Sequence, residues 1–320
     1  MRIGLAPQRD RPYFIGMSFP RLRLVSLSLA FLLSALTCNA QNAWSAVPAS
    51  NAKLNGSFRT AFWNIKWFPG GRPNAYKGEE TKQIRALHRD IARLAADVIG
   101  FEEVRDWPSA QLAVQPLPGF KVDVCSNFPP REGQDVGQQL AIVSRLEPMS
   151  AWAEEWKVGD AITPPRGFVF AAYQLGPKQM LLVYALHLKS NRGDVVENIP
   201  IREESMRQLL VHMKDMDAVY GKFGSIAWVV GGDYNTAPDD PRFKTEKTIA
   251  TLLEKGFLWS WQNMPFASRI TLPPDKRFPA ACFDHIFFRG ATLKKAEALS
   301  TSDDSSDHRA IRAEFALPVR

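Results

Sequence analysis

Two side chains that can hold a cation or a phosphate follow an apolar run in the second half of the chain. The segment VVGGDYNTAPDD, residues 229–240, places Asp233 and Asn235 directly after the apolar residues 226–230. Strands of layered α/β proteins present functional groups at their carboxyl ends, and side chains two apart on an extended chain face the same way. The same residue types are common in turns, so this segment alone leaves a capped turn as the alternative.

Other predicted strands also end on, or lie beside, polar side chains. These side chains are Asn64 after residues 58–63, Glu103 after residues 96–102, His187 after residues 181–186, Asp284 within residues 282–288, and Asp307 and His308 before residues 311–316. Each one alone has a structural explanation as a cap, a core histidine or a turn residue. Independent caps would not gather these types at one sheet edge, and we therefore expect a single site.

The oxygen-bearing members of this set favour a hard divalent cation over a closed zinc site. Carboxylate and amide oxygens are the ligands that Mg²⁺, Mn²⁺ and Ca²⁺ prefer. The candidate ligands are Asn64, Glu103, Asp233, Asn235 and Asp307. Hydrolysis of a phosphate ester requires a cation on the non-bridging oxygens, an oriented water, and a proton donor or stabiliser for the leaving oxygen. With His187 and His308, the set supplies all three requirements.

The ordered motifs TAFWN, VIGFEEV, ALHLKSN, GGDYN and SDH resemble those of the endonuclease/exonuclease/phosphatase superfamily of metal-dependent phosphoesterases. The superfamily includes pancreatic-type deoxyribonuclease, abasic-site endonucleases, neutral sphingomyelinases and inositol phosphatases. The resemblance runs from about Phe58 to the C-terminus, and the order of the motifs is more informative than any one of them. It implies an α/β fold, a four-layer αββα sandwich in which two mixed β-sheets pack face to face and are flanked by helices.

The resemblance also implies a role for each matching side chain. The implied roles are metal binding for Asn64, Glu103 and Asp307, contact with the phosphate or leaving group for His187, orientation of the nucleophile for Asp233 and Asn235, and orientation of the catalytic His308 by Asp284. A carboxylate behind an imidazole fixes its tautomer. Asp233 and His308 are both placed to act as the general base, and the sequence leaves this choice open.

A few positions depart from the superfamily pattern. Lys66 stands where several relatives carry an acidic residue, which removes one acidic ligand. Glu102 replaces the commoner Gln, and because strand alternation places Glu102 and Glu103 on opposite faces, we expect only Glu103 at the metal. His285 follows Asp284 in place of a Tyr or Arg, and the same alternation predicts a structural role for it.

Amphipathic segments between the motifs predict helices that cover the sheets. Apolar residues recur at helical spacing in residues 80–95 and 202–220, each directly before a predicted strand. The methionines of the second segment are predicted to pack in the core. Further strands are predicted at residues 139–143, 168–174 and 311–316.

Residues 127–137 and 265–279 are predicted long loops, and long loops near a metal site usually select the substrate. They contain Arg131, Arg269, Lys276 and Arg277. These side chains could meet an anionic substrate or could simply be solvated, and position in the sequence does not decide between the two.

Residues 1–40 have the pattern of a secretory signal peptide. Arg21 and Arg23 precede the apolar residues 24–36, and small residues follow, as a cleavage site requires. Met17 is an alternative start. A retained membrane anchor is the other reading, but the apolar run is shorter than a bilayer span. We therefore expect the protein to be periplasmic or secreted.

The remaining length fits one large α/β domain, because about 280 residues follow the leader. We expect residues 41–56 to be a lead-in and residues 57–320 to be the catalytic domain. The five arginines and one aspartate of the leader account for four of the seven net positive charges, which leaves +3 for the rest. So modest a charge is weak support for a nucleic acid partner.

Cys125 and Cys282 are the cysteines beyond the leader. In an oxidising compartment they could form one disulfide bond, which would restrain the strand that carries Asp284. Two free thiols are the equally weighted alternative.

The expected function is that of a secreted, Mg²⁺-dependent phosphodiesterase, with a nuclease as the first expectation, acting as a monomer. A sphingomyelinase-like or inositol-phosphate phosphoesterase is the alternative within the same chemistry, and Trp67 and Trp107 could contact either bases or a phospholipid headgroup. A non-catalytic phospholigand-binding protein is the alternative from another class, favoured only by Lys66. The sequence does not distinguish DNA, RNA, lipid or sugar phosphate, nor one cation from two.

Overall fold

Two six-stranded β-sheets form the centre of the protein in a computed structural model, which describes residues 47–52, 54, 56–130, 137–159 and 162–317. The strands are β1 (Ser57–Phe68), β2 (Val98–Val104), β3 (Lys121–Cys125), β4 (Gln139–Ser144), β5 (Ser150–Glu155), β6 (Gly167–Gly176), β7 (Gln179–His187), β8 (Ser225–Asp233), β9 (Leu258–Trp259), β10 (Asp284–Arg289), β11 (Thr292–Leu299) and β12 (Ala310–Ala316). The first sheet has the order β11-β12-β1-β2-β4-β3, and the second has the order β5-β6-β7-β8-β10-β9.

Helices cover the outer faces of both sheets. The helices are α1 (Ala49–Ala52), α2 (Lys77–Asp90), α3 (Trp107–Val114), α4 (Val195–Tyr220) and α5 (Thr248–Glu254). α2 and α3 pack on the first sheet, whereas α4 and α5 pack on the second. The predicted four-layer αββα sandwich is therefore confirmed.

Both sheets are mixed, and their parallel pairs direct the polar strand ends to one edge. β1 is parallel to β2 in the first sheet, and β7 is parallel to β8 in the second. The register pairs His187 with Asp233 at the ends of β7 and β8. β10 runs antiparallel to β8, so its first residue, Asp284, pairs with Asp233 at the same edge.

Apolar side chains fill three layers. The layer between the sheets contains Phe62, Val98, Ile142, Val183 and Val229. Burial of this kind contributes roughly 25 cal/mol per Å² of apolar surface. The predicted methionine packing is confirmed, because Met206 and Met213 are buried between α4 and the second sheet.

One aromatic ring between the two sheets lies directly against two glycines. A Cβ atom built on Gly100 of β2 would lie 2.5 Å from the ring of Phe62, and one built on Gly231 of β8 would lie 2.3 Å from it. Real side chains do not tolerate such contacts, so both positions require glycine. Phe62 lies two residues before Asn64, and Gly231 lies two residues before Asp233. The ring therefore sets the distance between the sheets directly beneath the polar strand ends.

The predicted helices have shifted ends. The helix predicted at residues 80–95 ends at Asp90 and continues as a 3₁₀ turn, Ile91–Leu94. The helix predicted at residues 202–220 begins earlier, at Val195. Asp194 caps it, because its side chain accepts a hydrogen bond of 2.8 Å from the backbone N–H of Val196.

Both cysteines are free thiols, so the disulfide alternative is not realised. Cys125 ends β3 in the first sheet, whereas buried Cys282 lies just before β10 in the second sheet. The predicted leader, residues 1–40, lies outside the described residues. Within the part of the chain that the structure describes, no helix has the length and apolar character that crossing a membrane requires.

Candidate active site

Asn64, Glu103 and Asp233 meet where the two sheets come together. Nδ2 of Asn64 lies 3.3 Å from Oε1 of Glu103 and 3.2 Å from Oδ2 of Asp233. Nε2 of His187 lies 3.5 Å from Oδ2 of Asp233 and 3.8 Å from Oε1 of Glu103. One amide thus connects the acids of the two sheets, and one imidazole faces both.

A histidine and an aspartate form a second unit beside this cluster. Nδ1 of His308 lies 2.9 Å from Oδ2 of Asp284, and Nε2 of His308 lies 3.9 Å from Oδ2 of Asp233. Burial acts to lower the pKa of His308, but the carboxylates of Asp284, Asp233 and Asp307 outweigh it and raise that pKa well above its ordinary value. His308 therefore carries a positive charge near neutral pH.

A serine fixes the segment that carries His308. The hydroxyl of Ser306 donates to the backbone carbonyl of Asn64 at 2.6 Å and accepts from the backbone N–H of His308 at 3.0 Å. The indole Nε1 of Trp63 donates to the carbonyl of His308 at 2.9 Å. These bonds hold the loop before β12 against the second half of β1 and so position His308.

Asp233 is the most central acid of the site and is buried. Burial raises its pKa to about 7, and His308 acts in the opposite direction. Its Oδ1 accepts the backbone N–H of Asn235 at 2.9 Å, which leaves Oδ2 directed at Asn64 and His187. An aspartate with this pKa is a stronger base than a solvated one.

The sequence predicted that Asn235 lies on an extended chain beside Asp233, and this prediction is wrong. β8 ends at Asp233, and Asn235 adopts a left-handed conformation with φ of 53°. Its Nδ2 donates to the carbonyl of Leu188 at 3.2 Å, and its own carbonyl accepts from Nδ2 of Asn191 at 2.7 Å. The side chain therefore joins the loop after β8 to the loop after β7.

Asp307 lies at the rim of the site with a cationic partner. Its Oδ2 lies 2.9 Å from Nζ of Lys66, and both side chains are about half exposed. Burial acts to raise the pKa of Asp307, but the positive charges of His308 and Lys66 lower it. The lysine that replaces an acidic residue of the relatives thus neutralises one of the proposed metal ligands.

Of the neighbouring acids Glu102 and Glu103, the second lines the cleft and the first does not, although the regular strand alternation from which this was expected does not hold here. Glu103 has φ of 62°, and the pairing of β2 with β4 shifts register between Glu102 and Val104, so this bulge interrupts the alternation. Glu103 reaches the cleft, where its Oε2 accepts the backbone N–H of Trp67 at 3.2 Å. Glu102 also lies close to the site, beneath its acids.

Glu102 is completely buried, and among the described residues neither of its carboxylate oxygens has a hydrogen-bond partner. Burial raises its pKa well above the ordinary range, and the nearby acids Asp284 and Asp233 raise it further. A carboxyl group in this position is neutral, as the glutamine common at this position in relatives would be. The departure from the superfamily pattern at Glu102 was the available signal that this residue lies beside the site. The assumption of regular strand alternation led instead to its placement on the opposite face.

A cleft of about 280 Å³ opens above these groups. Its walls include Asn64, Glu103, His187, Asp307 and His308, together with Lys66, Trp67, Arg72, Gln138, Ser190 and Arg192. Arg72, Ser190 and Arg192 were not predicted from the sequence. Their segments, GGRP after β1 and LKSNR after β7, follow motif-bearing strands, and that position was the available signal.

Several other predicted positions lie away from the cleft. Arg269 is wrong as a substrate contact, because its guanidinium is held by both oxygens of Asp239 at 2.7 Å and lies over the ring of Trp259. Lys276 and Arg277 are exposed and absent from the cleft walls, as is the half-exposed Trp107, and Arg131 lies outside the described residues.

His285 has the environment of a core histidine, as the sequence predicts. It is fully buried, its Nε2 lies 3.0 Å from the carbonyl of Thr236, and Nε1 of Trp259 donates to its Nδ1 at 3.2 Å. Burial lowers its pKa to about 4, so it is neutral at physiological pH.

The donors at the cleft fit a hard divalent cation. Carboxylate oxygens of Glu103 and Asp233 lie against the amide of Asn64, whose Oδ1 accepts the backbone N–H of Lys66 at 3.0 Å. A second group, Asp233, Asp284 and His308, has its donor atoms within 4.8 Å of one another. Its Asp284 and His308 are already hydrogen-bonded to each other, so that group fits proton transfer better than cation binding.

Comparison with known proteins identifies the origin of this arrangement. Residues 61–308 match the sequence profile of the Endonuclease/Exonuclease/phosphatase family. A UPF0294 protein of Vibrio vulnificus is 26% identical over 158 residues, which is 48% of this chain and 46% of that protein. The match thus spans about half the length of this curated relative.

Solved structures share the fold. An endonuclease/exonuclease/phosphatase protein of Beutenbergia cavernae superposes with a TM-score of 0.61 and 18% identity, covering 82% of this chain and 72% of the other. A mannosyl-6-phosphatase of Bacteroides thetaiotaomicron superposes with a TM-score of 0.56 and 15% identity, covering 81% of this chain and 100% of the other. At these identities the likeness establishes the architecture.

Proposed function

The chain belongs to the Endonuclease/Exonuclease/phosphatase family, a family of metal-dependent phosphoric ester hydrolases, and from this membership we propose that it is a periplasmic or secreted, Mg²⁺-dependent nuclease. The single observation that carries the proposal is the convergence of Asn64, Glu103, His187 and Asp233 within 3.2–3.8 Å of one another. These side chains come from four strands of two sheets. Packing requirements alone give no reason to gather two carboxylates, an amide and an imidazole at this point.

Asp233 and His308 have complementary roles in the proposed reaction. Oδ2 of Asp233 accepts a proton from the attacking water, and a pKa of about 7 makes this carboxylate an effective base near neutrality. His308, held by Asp284, presents a positively charged Nε2 to the phosphate. The bound divalent cation, held by Glu103 and Asn64 with Asp307 at the rim, would supply neutralisation of the non-bridging oxygens.

His187 and the cationic rim complete the proposed site. Nε2 of His187 lies 3.5 Å from Oδ2 of Asp233, the oxygen that Nε2 of His308 approaches to 3.9 Å, and it would contact the phosphate or the leaving oxygen. Lys66, Arg72 and Arg192 stand around the opening and attract an anionic substrate. A phosphodiester in the cleft would be contacted by both histidines, since both line its walls.

The proposed location rests on the leader sequence. Residues 1–40 combine basic residues, an apolar run and a small-residue stretch, which is the composition of an exported precursor. Cell fractionation with an antibody to the protein tests this part, since recovery of the intact leader in the cytoplasmic fraction contradicts export.

Nicking of supercoiled plasmid tests the chemistry. Wild type should nick in Mg²⁺ and stop when chelator is added, whereas Asp233→Ala and His308→Ala should lose at least about a hundredfold in rate. Asp215→Ala, an exposed aspartate on α4, is the matched control and should retain full activity. Cleavage that resists chelator, or full activity in both site variants, contradicts the proposal.

A phosphomonoesterase is the second candidate. The cleft is small for a polymer-binding site, at about 280 Å³, and three cationic side chains line its opening, which suits a dianionic phosphate. The structurally similar mannosyl-6-phosphatase supports it as a candidate. Turnover of p-nitrophenyl phosphate against bis(p-nitrophenyl) phosphate separates the two, because a nuclease favours the diester. Binding of either compound without turnover would favour the binding-protein alternative.

A further inference from the structure

Helix α2 presents a row of cations on its exposed face. Lys77, Lys82, Arg85 and Arg89 are all exposed, and with Gly78 and Thr81 they line one open surface depression. The acid in this depression is Asp304, so the lining carries a net charge of +3. We refer to these four cations as the α2 basic face. Arg85 follows Lys77 by eight residues and Arg89 follows Arg85 by four, which places the three in one row along a helix.

The acids of α2 do not neutralise this face. Glu79 is bonded to Arg72, Glu80 pairs with Arg105, and Asp90 is buried, where it accepts from Ser305. Lys82 pairs with Asp304 at 2.8 Å. Within the described residues Arg85 and Arg89 take part in no ion pair. Their charges therefore remain available to an external anion.

Two short chain segments link the α2 basic face to the catalytic cleft. Residues 71–78 contribute Arg72 to the cleft and Lys77 to the basic face, and residues 304–308 contribute Asp304 to the basic face and His308 to the cleft. A ligand that follows residues 71–78 meets no acidic residue of that segment, whereas the other segment carries Asp304 and Asp307, which pair with Lys82 and Lys66.

An aromatic side chain stands between the cleft and the basic face. Tyr76 is 65% exposed, and the guanidinium of Arg72 lies 5.9 Å from the centre of its ring. The ring also lies against Gly78, where a Cβ atom would be 2.8 Å from it. An exposed tyrosine held in this way offers a stacking surface for a planar ring, since aromatic platforms beside cations are the usual means of binding unpaired bases.

From this arrangement we propose that the α2 basic face and Tyr76 bind a single strand of nucleic acid, whose reacting phosphate lies in the cleft. Lys77 to Arg89 spans about 18 Å along the helix at 1.5 Å per residue, which is the length of about five phosphates at the roughly 3.4 Å spacing of a strand in a duplex and of fewer in an extended strand. The inference rests on the proposed function for the identity of the reaction. Binding to the face itself requires neither the cation nor turnover.

Fluorescence anisotropy of a labelled 20-nucleotide single-stranded DNA, measured in chelator, tests the proposal. The test variant is the triple substitution Lys77→Ala, Arg85→Ala, Arg89→Ala, which leaves the Lys82–Asp304 pair intact. The matched control is Lys178→Ala, Lys222→Ala, Lys255→Ala. These exposed lysines lie near the opposite ends of β7, β8 and β10, and the control removes the same charge.

The test variant should bind at least about tenfold more weakly than wild type, and its logarithmic salt dependence should fall by about 2 for three lost phosphate contacts. The control should match wild type. All three proteins should hydrolyse bis(p-nitrophenyl) phosphate equally, because this small diester reaches only the cleft. If wild type does not hydrolyse this compound, the proposed function is refuted. The anisotropy result still decides whether the α2 basic face binds the oligonucleotide.

Two further results would overturn the inference. One is equal binding of the oligonucleotide by the test variant and the control. The other is weaker binding of phosphatidylserine vesicles by the test variant with unchanged oligonucleotide binding, which would assign the face to a membrane. Tyr76→Leu separates stacking from charge, since it should weaken single-strand binding about tenfold and leave the salt dependence unchanged. Preference for duplex over single-stranded DNA contradicts the role of Tyr76.

Discussion

His308 and Asp284 reach their 2.9 Å contact from different sheets. Asp284 begins β10 of the second sheet, whereas His308 stands just before β12 of the first. The contact therefore depends on the relative position of the sheets, as does the 3.2 Å contact of Asn64 with Asp233. Two separate pairs of polar side chains thus depend on the same relative position of the two sheets.

Substitution of Asp284 by Asn should lower kcat by about 10²- to 10⁴-fold and leave KM nearly unchanged. The carboxylate orients the imidazole of His308 and stabilises its positive charge, and an amide does neither reliably. Steady-state kinetics on bis(p-nitrophenyl) phosphate measures the effect. Asp275→Asn, in an exposed loop, is the control and should retain wild-type kcat. A loss of less than threefold in the Asp284 variant would show that His308 acts without it.

Removal of Lys66 should strengthen cation binding. Its Nζ lies 2.9 Å from Asp307, so it competes with a cation for that carboxylate. Lys66→Ala should lower the Mg²⁺ concentration for half-maximal activity by about three- to tenfold. The free energy of unfolding should change by less than about 1 kcal/mol, because the pair is half exposed. Calorimetric titration of Mg²⁺ checks the affinity, and an unchanged or weaker affinity counts against competition at Asp307.

Arg202 should be the ion-pair residue whose loss most affects stability. Buried in α4, it bonds both oxygens of Glu246 at 2.7 Å, and its Nη1 also donates to the carbonyl of Lys189 and to Oδ1 of Asn191 in the loop after β7. Arg202→Met strands the buried Glu246 carboxylate, so the free energy of unfolding should fall by about 3–5 kcal/mol. Urea unfolding measures it.

The exposed pair of Arg207 with Glu204 on the same helix is the control for this prediction. Its shortest N–O distance, 2.7 Å, equals that of the Arg202 pair, but the Arg207 side chain is 65% exposed. Arg207→Ala should therefore cost less than about 1 kcal/mol. Equal losses in the two variants would mean that burial does not determine the strength of these pairs.

Asp123 should make the protein less stable as pH rises from about 4 to about 6. Burial raises its pKa from 3.8 to about 6, although Ser144 and Tyr173 each donate to its Oδ2 at 2.6 Å. In this interval the folded protein binds more protons than the unfolded chain, so the free energy of unfolding falls with pH. A shift of about two units corresponds to about 3 kcal/mol.

Asp123→Asn removes this titration and keeps an acceptor for both hydroxyl groups. The difference in unfolding free energy between the variant and wild type should therefore move by about 2–3 kcal/mol in favour of the variant between pH 4 and pH 7. Urea unfolding at the two pH values measures it. A difference that does not depend on pH would show that Asp123 titrates normally.

The sequence predicts the strands that carry the site because their pattern is simple. β7 and β8 are apolar runs ending on His187 and Asp233, and parallel neighbours must place these ends together. The half-exposed strand β11 was not predicted, because its residues are intermediate or exposed and its apolar pattern is weak. The motif residues were therefore found more readily than the edges of the sheets.

Local conformation limited the prediction of individual side chains. Glu103 and Asn235 both have positive φ, at 62° and 53°, so the alternation rule for strands fails at these positions. The sequence places Arg269 in a loop with no evident partner, but in the structure it is bonded to Asp239, thirty residues earlier. Such long-range pairs carry no signal at either position in the sequence.

Phe62, with Gly100 and Gly231 on either side, has a consequence for attempts to transplant this chemistry. The distances among Asn64, Glu103 and Asp233 depend on how closely two backbones can approach, and the two glycines permit that approach. A designer who copied only the polar side chains onto another two-layer scaffold would find them too far apart to share a ligand. A transplanted site would therefore have to include Phe62, Gly100 and Gly231 together with the acids that follow them.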